Sequence, residues 1–314
     1  MTKIAFLFPG QGSQSVGMGK DIYENIESAK NVYDKADEVL RKSVSKICFE
    51  GPEEDLKQTV NTQPCIVTTS IALLEAFRSK LNITPDFVAG HSLGEYAAMY
   101  TAGVMDLETT LKLIQKRAEL MGNSKGGSMA AVLNAQEDVI KAGLEEGRKV
   151  GYVDIANYNS PVQVVITGDE NAVKAAGDYI LANGARRVVP LAVSGAFHSK
   201  FMQEAGAIFG DYVKDFDLSD VTIPVITNVD AELTTSAEDF RAKMPRQIYS
   251  SVHWTQTIQK MVAEGVDTFI EIGPGKVLAG LNKKIVPDAN VYNIYDNASL
   301  EATIGALKEQ LAGV

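Results

Sequence analysis

The sequence predicts an α/β protein: a larger unit built on a mostly parallel sheet, interrupted by a smaller ferredoxin-like one. Three observations carry this. Short β-rich runs alternate with longer amphipathic ones along most of the chain. Runs such as FIEIG are apolar throughout with helical segments on either side, as strands buried on both faces require. Between residues 126 and 194 the rhythm changes to β-α-β-β-α-β, an order that packs two helices on one face of a small antiparallel sheet.

Taken in order, KIAFLF (3–8) reads as a first strand ending in PGQGSQ, with helical segments around 19–43 and 62–80. A strand over 86–91 runs into a glycine-flanked turn, followed by helices over 94–102 and 107–121. In the small unit, 129–133, 152–159, 162–168 and 186–193 read as strands, with a turn at Ser160-Pro161, and 137–147 and 171–184 read as helices. Beyond it come a helix over 198–213, a strand over 223–229, and helices near 236–249 and 254–264. A strand over 267–273 and helices over 276–285 and 299–311 complete the reading. Residues 1–125 and 195–314 are therefore assigned to the larger subdomain and 126–194 to the smaller.

Composition narrows the function classes. A net charge of −10 argues against nucleic acid as the main partner, because phosphate binding needs a basic surface. An anionic substrate must then meet a local cation. No apolar run approaches the roughly 18 residues needed to span a bilayer. The stretch Ile4 to Phe8 is too short for a secretory h-region, so no membrane association and a cytoplasmic location are expected. Cys48 and Cys65 form no C-x-x-C and offer no metal-ligand spacing; reduced thiols are expected.

The chemistry centres on VAGHSLGEY (88–96). Gly90-His91-Ser92-Leu93-Gly94 has the form G-x-S-x-G after an apolar run and before an alanine-rich helix, the setting of a nucleophile elbow. A glycine-rich turn whose serine caps a helix is the competing interpretation. A serine hydroxyl needs a base. Of the three histidines, His91 immediately precedes Ser92 at an extended strand end, where its side chain is expected to point to the opposite face, His198 lies at a strand-to-helix junction in VSGAFHSKFM, and His253 sits beside the only tryptophan. His198 is the first candidate and His253 the second. The order Ser…His with a long remaining chain departs from the Ser…Asp/Glu…His order of hydrolases, and no acid stands out to orient the imidazole. A carbonyl oxygen can hold the tautomer instead.

FPGQGSQSVGMG follows a strand and precedes a helix, the setting of a dinucleotide-binding loop. Position 15 is Ser rather than the third glycine, and no acidic residue closes a second strand. The loop can instead present the Gln11 N–H beside that of Leu93 as an oxyanion hole. Arg117 lies beside the apolar face of Leu111, Ile114, Ala118 and Met121, with Lys112 and Lys116 turned outward; a solvated surface arginine is the alternative.

FPGQGSQ, GHSLGEY, QKRAELM, NYNSPVQVVITG, AFHSKFM, PRQIYSSVHW and EIGPGKVL, in this order, resemble the malonyl-CoA:acyl carrier protein transacylase family along essentially the whole chain. The resemblance implies an α/β-hydrolase-like large subdomain with an inserted ferredoxin-like one, and malonyl transfer from malonyl-CoA to the phosphopantetheine thiol of acyl carrier protein through an acyl-serine. It implies Ser92 as nucleophile and His198 as base, with the N–H groups of Gln11 and Leu93 as oxyanion donors. Arg117 would clamp the malonyl carboxylate, the Gln247 main-chain carbonyl would orient the histidine, and Asn157 would be a further polar residue of the site. Phe197 and Leu93 resemble the malonyl-selecting pattern, the ring filling space an α-methyl would need. No cofactor and a monomer are expected, serving fatty acid synthesis. A polyketide role and a serine esterase or acyl hydrolase are the alternatives. Because carrier proteins are acidic, Arg186, Arg187, Lys283 and Lys284 are candidates for a basic docking patch.

Overall fold

The structure, a computed structural model, describes residues 2–312. From the N-terminus the elements are β1 (Ile4–Phe8), α1 (Lys20–Asn25), α2 (Glu27–Leu40), α3 (Val44–Glu50), α4 (Glu53–Lys57), α5 (Thr59–Lys80), β2 (Phe87–Gly90), α6 (Gly94–Ala102) and α7 (Leu107–Asn123). Next come β3 (Ser128–Leu133), α8 (Glu137–Arg148), β4 (Val153–Ser160), β5 (Gln163–Gly168), α9 (Glu170–Ala182) and β6 (Arg187–Pro190). The chain closes with α10 (Gln203–Val213), β7 (Val225–Ile226), β8 (Leu233–Thr234), α11 (Ala237–Tyr249), α12 (Trp254–Ala263), β9 (Thr268–Ile272), α13 (Val277–Ile285), β10 (Asn290–Ile294) and α14 (Asn297–Ala312).

Two sheets organise these elements. The larger has the order β10-β9-β1-β2-β7-β8, parallel throughout except for β8, which pairs antiparallel with β7. Period-two alternation splits its strands between two cores: Phe6, Phe8 and Val88 pack on one face, and Ala5, Leu7 and Ala89 on the other. The smaller sheet has the order β4-β5-β3-β6, antiparallel, with α8 and α9 over one face, where Ala130, Val132, Val153 and Ile166 form a third core. Met129 and Val165, on the opposite face, join the main core. β4 is also stitched to the larger unit: Tyr158 N–H donates to Val252 O at 2.9 Å, and Val252 N–H donates to Ala156 O at 2.8 Å.

Several elements differ from the sequence reading. The helix expected over 19–43 is broken, because Ile26 is extended and Arg41 takes a left-handed conformation. The strand expected over 223–229 shrinks to two residues that fold into a short hairpin with β8. β10 was not anticipated; it lies at the sheet edge, half-exposed and interrupted by asparagine, so its apolar pattern is weak. His198 precedes the helix in a tight turn, and α10 starts only at Gln203, after a 3-10 turn over Lys200–Met202. Among the described residues, no helix is long and apolar enough to cross a membrane.

Candidate active site

The elbow follows from steric necessity at two glycines. A Cβ on Gly90 would lie 1.9 Å from the Gly94 carbonyl carbon, and one on Gly94 would lie 2.2 Å from Phe8 O. Only glycine allows β2, the turn and α6 to approach β1 this closely. Ser92 sits between them at φ 52°, a left-handed conformation that costs an L-residue energy and persists only where neighbours enforce it. The enforcement is visible. Ser92 N–H donates to Asn228 Oδ1 at 2.8 Å, Asn228 Nδ2 donates to Gly90 O at 2.7 Å, and Gln247 Nε2 donates to Ser92 O at 2.7 Å. Asn228 is anchored in turn, its N–H donating to Glu95 Oε2 at 2.6 Å. Burial raises the Glu95 carboxyl to about 7, against the lowering effects of that bond and of the Arg117 charge.

Ser92 Oγ lies 2.8 Å from His198 Nε2. His198 also has a positive φ, 53°. Its Nδ1 is 3.0 Å from Gln247 O and 3.1 Å from Ser250 O. Carbonyls only accept, so Nδ1 carries the proton and the Nε2 lone pair faces the serine hydroxyl. Burial, then the Arg117 charge and His91, push the imidazole pKa down to about 3, which keeps it a neutral base. His91 lies beside this pair but makes no hydrogen bond to Ser92 Oγ among the described residues, and His253 lies elsewhere. His91 Nε2 is 2.7 Å from Asn159 Oδ1, and its ring lies 5.6 Å from Trp254; His253 stacks on Tyr158 at 5.1 Å. Trp254 therefore packs against His91, not against its sequence neighbour His253.

Arg117 is fully buried, so the solvated-surface alternative fails. Its Nη1 donates to Gln63 Oε1 at 2.7 Å, and its Nη2 donates to Gln247 Oε1 at 2.9 Å and to Ser92 Oγ at 3.1 Å. Nε has no partner among the described residues, and the guanidinium lies 5.7 Å from the Tyr96 ring. Burial lowers its pKa, yet guanidinium keeps its proton throughout the physiological range.

These groups line one cavity of about 100 Å³, shared with Gln11, Leu93, Asn157 and Phe197. The sequence candidates are thus brought together, although Asn157 makes no side-chain hydrogen bond to His198. The cysteines are buried and free, away from this cavity. Gln63, Asn228, Glu95 and Ser250 were missed by sequence reasoning. Glu95 carried a usable signal, a lone carboxylate in the otherwise apolar helix GEYAAMYTA.

Residues 5–313 match the acyl transferase domain family. The chain belongs to that family. It is 44% identical over 314 residues to the malonyl CoA-acyl carrier protein transacylase of Bacillus subtilis (strain 168), spanning 99% of each chain. Among solved structures, it superposes on the malonyl CoA-acyl carrier protein transacylase of Clostridium perfringens with a TM-score of 0.94 and 37% identity, covering 99% of both chains. A malonyl-transacylase in complex with a type II polyketide acyl-carrier protein aligns with a TM-score of 0.92 and 36% identity, over 95% of this chain and 98% of that one. The acyl transferase fold thus places Ser92 at the carboxyl end of a central parallel strand, where open α/β sheets hold their ligands.

Proposed function

We propose that this acyltransferase moves a malonyl group from malonyl-CoA to the phosphopantetheine thiol of an acyl carrier protein through a malonyl ester on Ser92. The observation that carries this reading is one hydroxyl held by a neutral imidazole at 2.8 Å and by a fully buried guanidinium at 3.1 Å. The imidazole supplies general base catalysis, and the guanidinium selects an acyl group with a negative tail.

In the first half-reaction Ser92 O–H passes its proton to His198 Nε2 as Oγ attacks the thioester carbonyl. The oxyanion is received by the Gln11 and Leu93 N–H groups, neither of which has an acceptor in the protein among the described residues. Collapse expels the CoA thiolate, which takes the proton back from His198. In the second half-reaction His198 takes the proton of the carrier thiol, the thiolate attacks the ester, and Ser92 Oγ is reprotonated. Between the two, Arg117 pairs with the malonyl carboxylate in the planar fork that lysine cannot offer. Phe197 and Leu93 limit the space beside the α-carbon, which supports malonyl over methylmalonyl.

The steps balance with groups of one chain, so a monomer without cofactor suffices, and two reduced buried thiols fit the cytoplasm. The role in fatty acid synthesis follows from the malonyl donor. CoA release tests the reading: without carrier, malonyl-CoA should give a single stoichiometric burst, resuming only when carrier is added. Continuous release of CoA and malonate in water would favour an acyl hydrolase.

A further inference from the structure

The segment EIGPGKVL (271–278) takes no part in the chemistry described so far, and neither does the acid at its head. Glu271, near the end of β9, is 1% exposed, yet no lysine or arginine pairs with it among the described residues. A carboxylate is seldom buried without a cation. Its partners are main-chain groups of the first turn of α13: Oε1 accepts from Leu278 N–H at 3.1 Å and Oε2 from Ala279 N–H at 2.7 Å. Lys276, at the helix start, offers no side-chain cap, so Glu271 caps α13 from the preceding strand. Burial raises its carboxyl to about 7 against the lowering effect of those two bonds, so the group sits there at a cost.

The two bonds join residue 271 to residues 278 and 279 and close residues 272–277 into a loop. That loop leans on the Gln11 segment. β9 runs parallel to β1 with Leu7 opposite Glu271, so the segments leaving the two strands emerge side by side. A Cβ on Gly273, at φ 151°, would lie 2.4 Å from Pro9 Cδ, and one on Gly275, at φ 76°, would lie 3.3 Å from Ser13 O. Pro9 and Ser13 bracket Gln11, and Ser13 Oγ donates to Gly10 O at 2.7 Å across the bracket. On the other side, a Cβ on Gly10 would lie 2.6 Å from His91 O, beside the elbow. The Gln11 segment is thus held between the Ser92 turn and the closed loop, at contacts that only glycine permits. Val277 and Leu278 extend the contact, lining with Gly10 and Gln11 the cavity next to the catalytic one.

We infer that Glu271 is a positioning residue for acyl transfer: by closing the loop over 272–277 it fixes Gly273 and Gly275 against Pro9 and Ser13, and so aims the Gln11 N–H at the oxyanion. This rests on the reading of Gln11 as an oxyanion donor in malonyl transfer and deepens it. Such a donor acts on the transition state far more than on bound malonyl-CoA, so loss of Glu271 appears in kcat and not in KM.

The test measures kcat and KM for malonyl transfer, the Kd of methylboronic acid and the melting temperature in the wild type, Glu271→Gln, Glu271→Gln/Gly280→Ala and Gly275→Ala. Methylboronic acid bonds its boron to Ser92 Oγ as the hydroxyl proton passes to His198, leaving a tetrahedral anion that needs the oxyanion donors but no malonyl group. Glutamine keeps the shape of Glu271 but turns an N–H₂ group towards one of the two N–H groups. In Glu271→Gln kcat should fall about tenfold or more, short of the roughly 10²- to 10³-fold loss of a whole donor, with KM within about twofold and the boronic acid Kd rising as far as kcat falls. Gly280→Ala, exposed on α13 with nothing within 4 Å of the added Cβ, should restore the melting temperature and leave kcat low, which separates positioning from helix stability. Gly275→Ala presses on Ser13 without touching the carboxylate; it should lower kcat in the same way, and it carries the test if Glu271→Gln does not fold. Unchanged kcat in the folded variants, recovery of kcat together with the melting temperature, or a rise in KM alone would overturn the role. Wild-type protein that takes up methylboronic acid but forms no malonyl-serine would instead defeat the malonyl-transfer reading, and the boronic acid affinities of the variants would still decide the role of Glu271.

Discussion

Replacing Arg117 by alanine should separate charge recognition from catalysis. The guanidinium is fully buried, and its only hydrogen-bond acceptors among the described residues are Gln63, Gln247 and Ser92. With a malonyl ester on Ser92, alanine leaves a carboxylate facing the buried Arg117 position without its cation, and removing one partner of a buried ion pair costs about 3–5 kcal/mol. At about 1.4 kcal/mol per decade, kcat/KM for malonyl-CoA should fall about 10²- to 10⁴-fold. Acetyl-CoA brings no carboxylate, so its rate should change by about tenfold or less, through the lost bond to Ser92 Oγ. The malonyl-to-acetyl preference should therefore collapse by about tenfold at the least and up to about 10⁴-fold. Arg117→Met, which fills most of the volume without charge, controls for packing, and Arg117→Lys should fall between because it lacks the fork. The assay is quenched-flow mass spectrometry of the acyl-enzyme with each donor, alongside a thermal melt. An unchanged preference in a folded Arg117→Ala protein would refute the clamp.

Removing the base, His198→Ala, should slow acyl-enzyme formation about 10²- to 10⁴-fold without weakening donor binding, read as kcat against KM. The same residue makes stability depend on pH. Unfolded, its imidazole takes up a proton below about 6.5, while in the fold it stays neutral down to about 3. Its contribution is thus complete above about pH 6.5 and erodes as pH falls from there towards 3, and His198→Gln should flatten that part of a urea-midpoint profile. Asn228→Ala breaks two bonds to the elbow and should cost about 2–4 kcal/mol of stability and at least tenfold in acylation rate; Asn228→Asp, which keeps the acceptor for Ser92 N–H, should cost less. Gly94→Ala places a Cβ 2.2 Å from Phe8 O and should destabilise by more than about 3 kcal/mol, whereas Gly305→Ala, with nothing within 4 Å in α14, should gain about 0.5–1 kcal/mol in chemical denaturation.

What the sequence made legible were features with local causes. The G-x-S-x-G spacing encodes a close backbone approach, and the smaller sheet's strands and helices follow from their own periodicities and turn at Ser160-Pro161. Arg117 could be placed beside an apolar helix face, although its complete burial depends on α5 bringing Gln63 and on α11 bringing Gln247. Asn228 and Ser250 were illegible because their roles arise from long-range contacts. One is an amide that reaches across to β2, and the other a main-chain carbonyl that any residue type could supply. The marginal strands β8 and β10 escaped because edge positions relax the apolar alternation that reveals buried ones. Glu95 is the reverse case, a residue whose local oddity, a lone carboxylate in an otherwise apolar helix, was legible but was passed over.

The central claim is that one serine, deprotonated by His198, holds a malonyl group until a thiol takes it. Peptide-mapped mass spectrometry after mixing with malonyl-CoA tests it most directly. A single malonyl group on Ser92, stable in buffer and cleared on adding phosphopantetheinylated carrier, is the expected result. An adduct on another residue, none at all, or one that clears equally fast in water alone would contradict it.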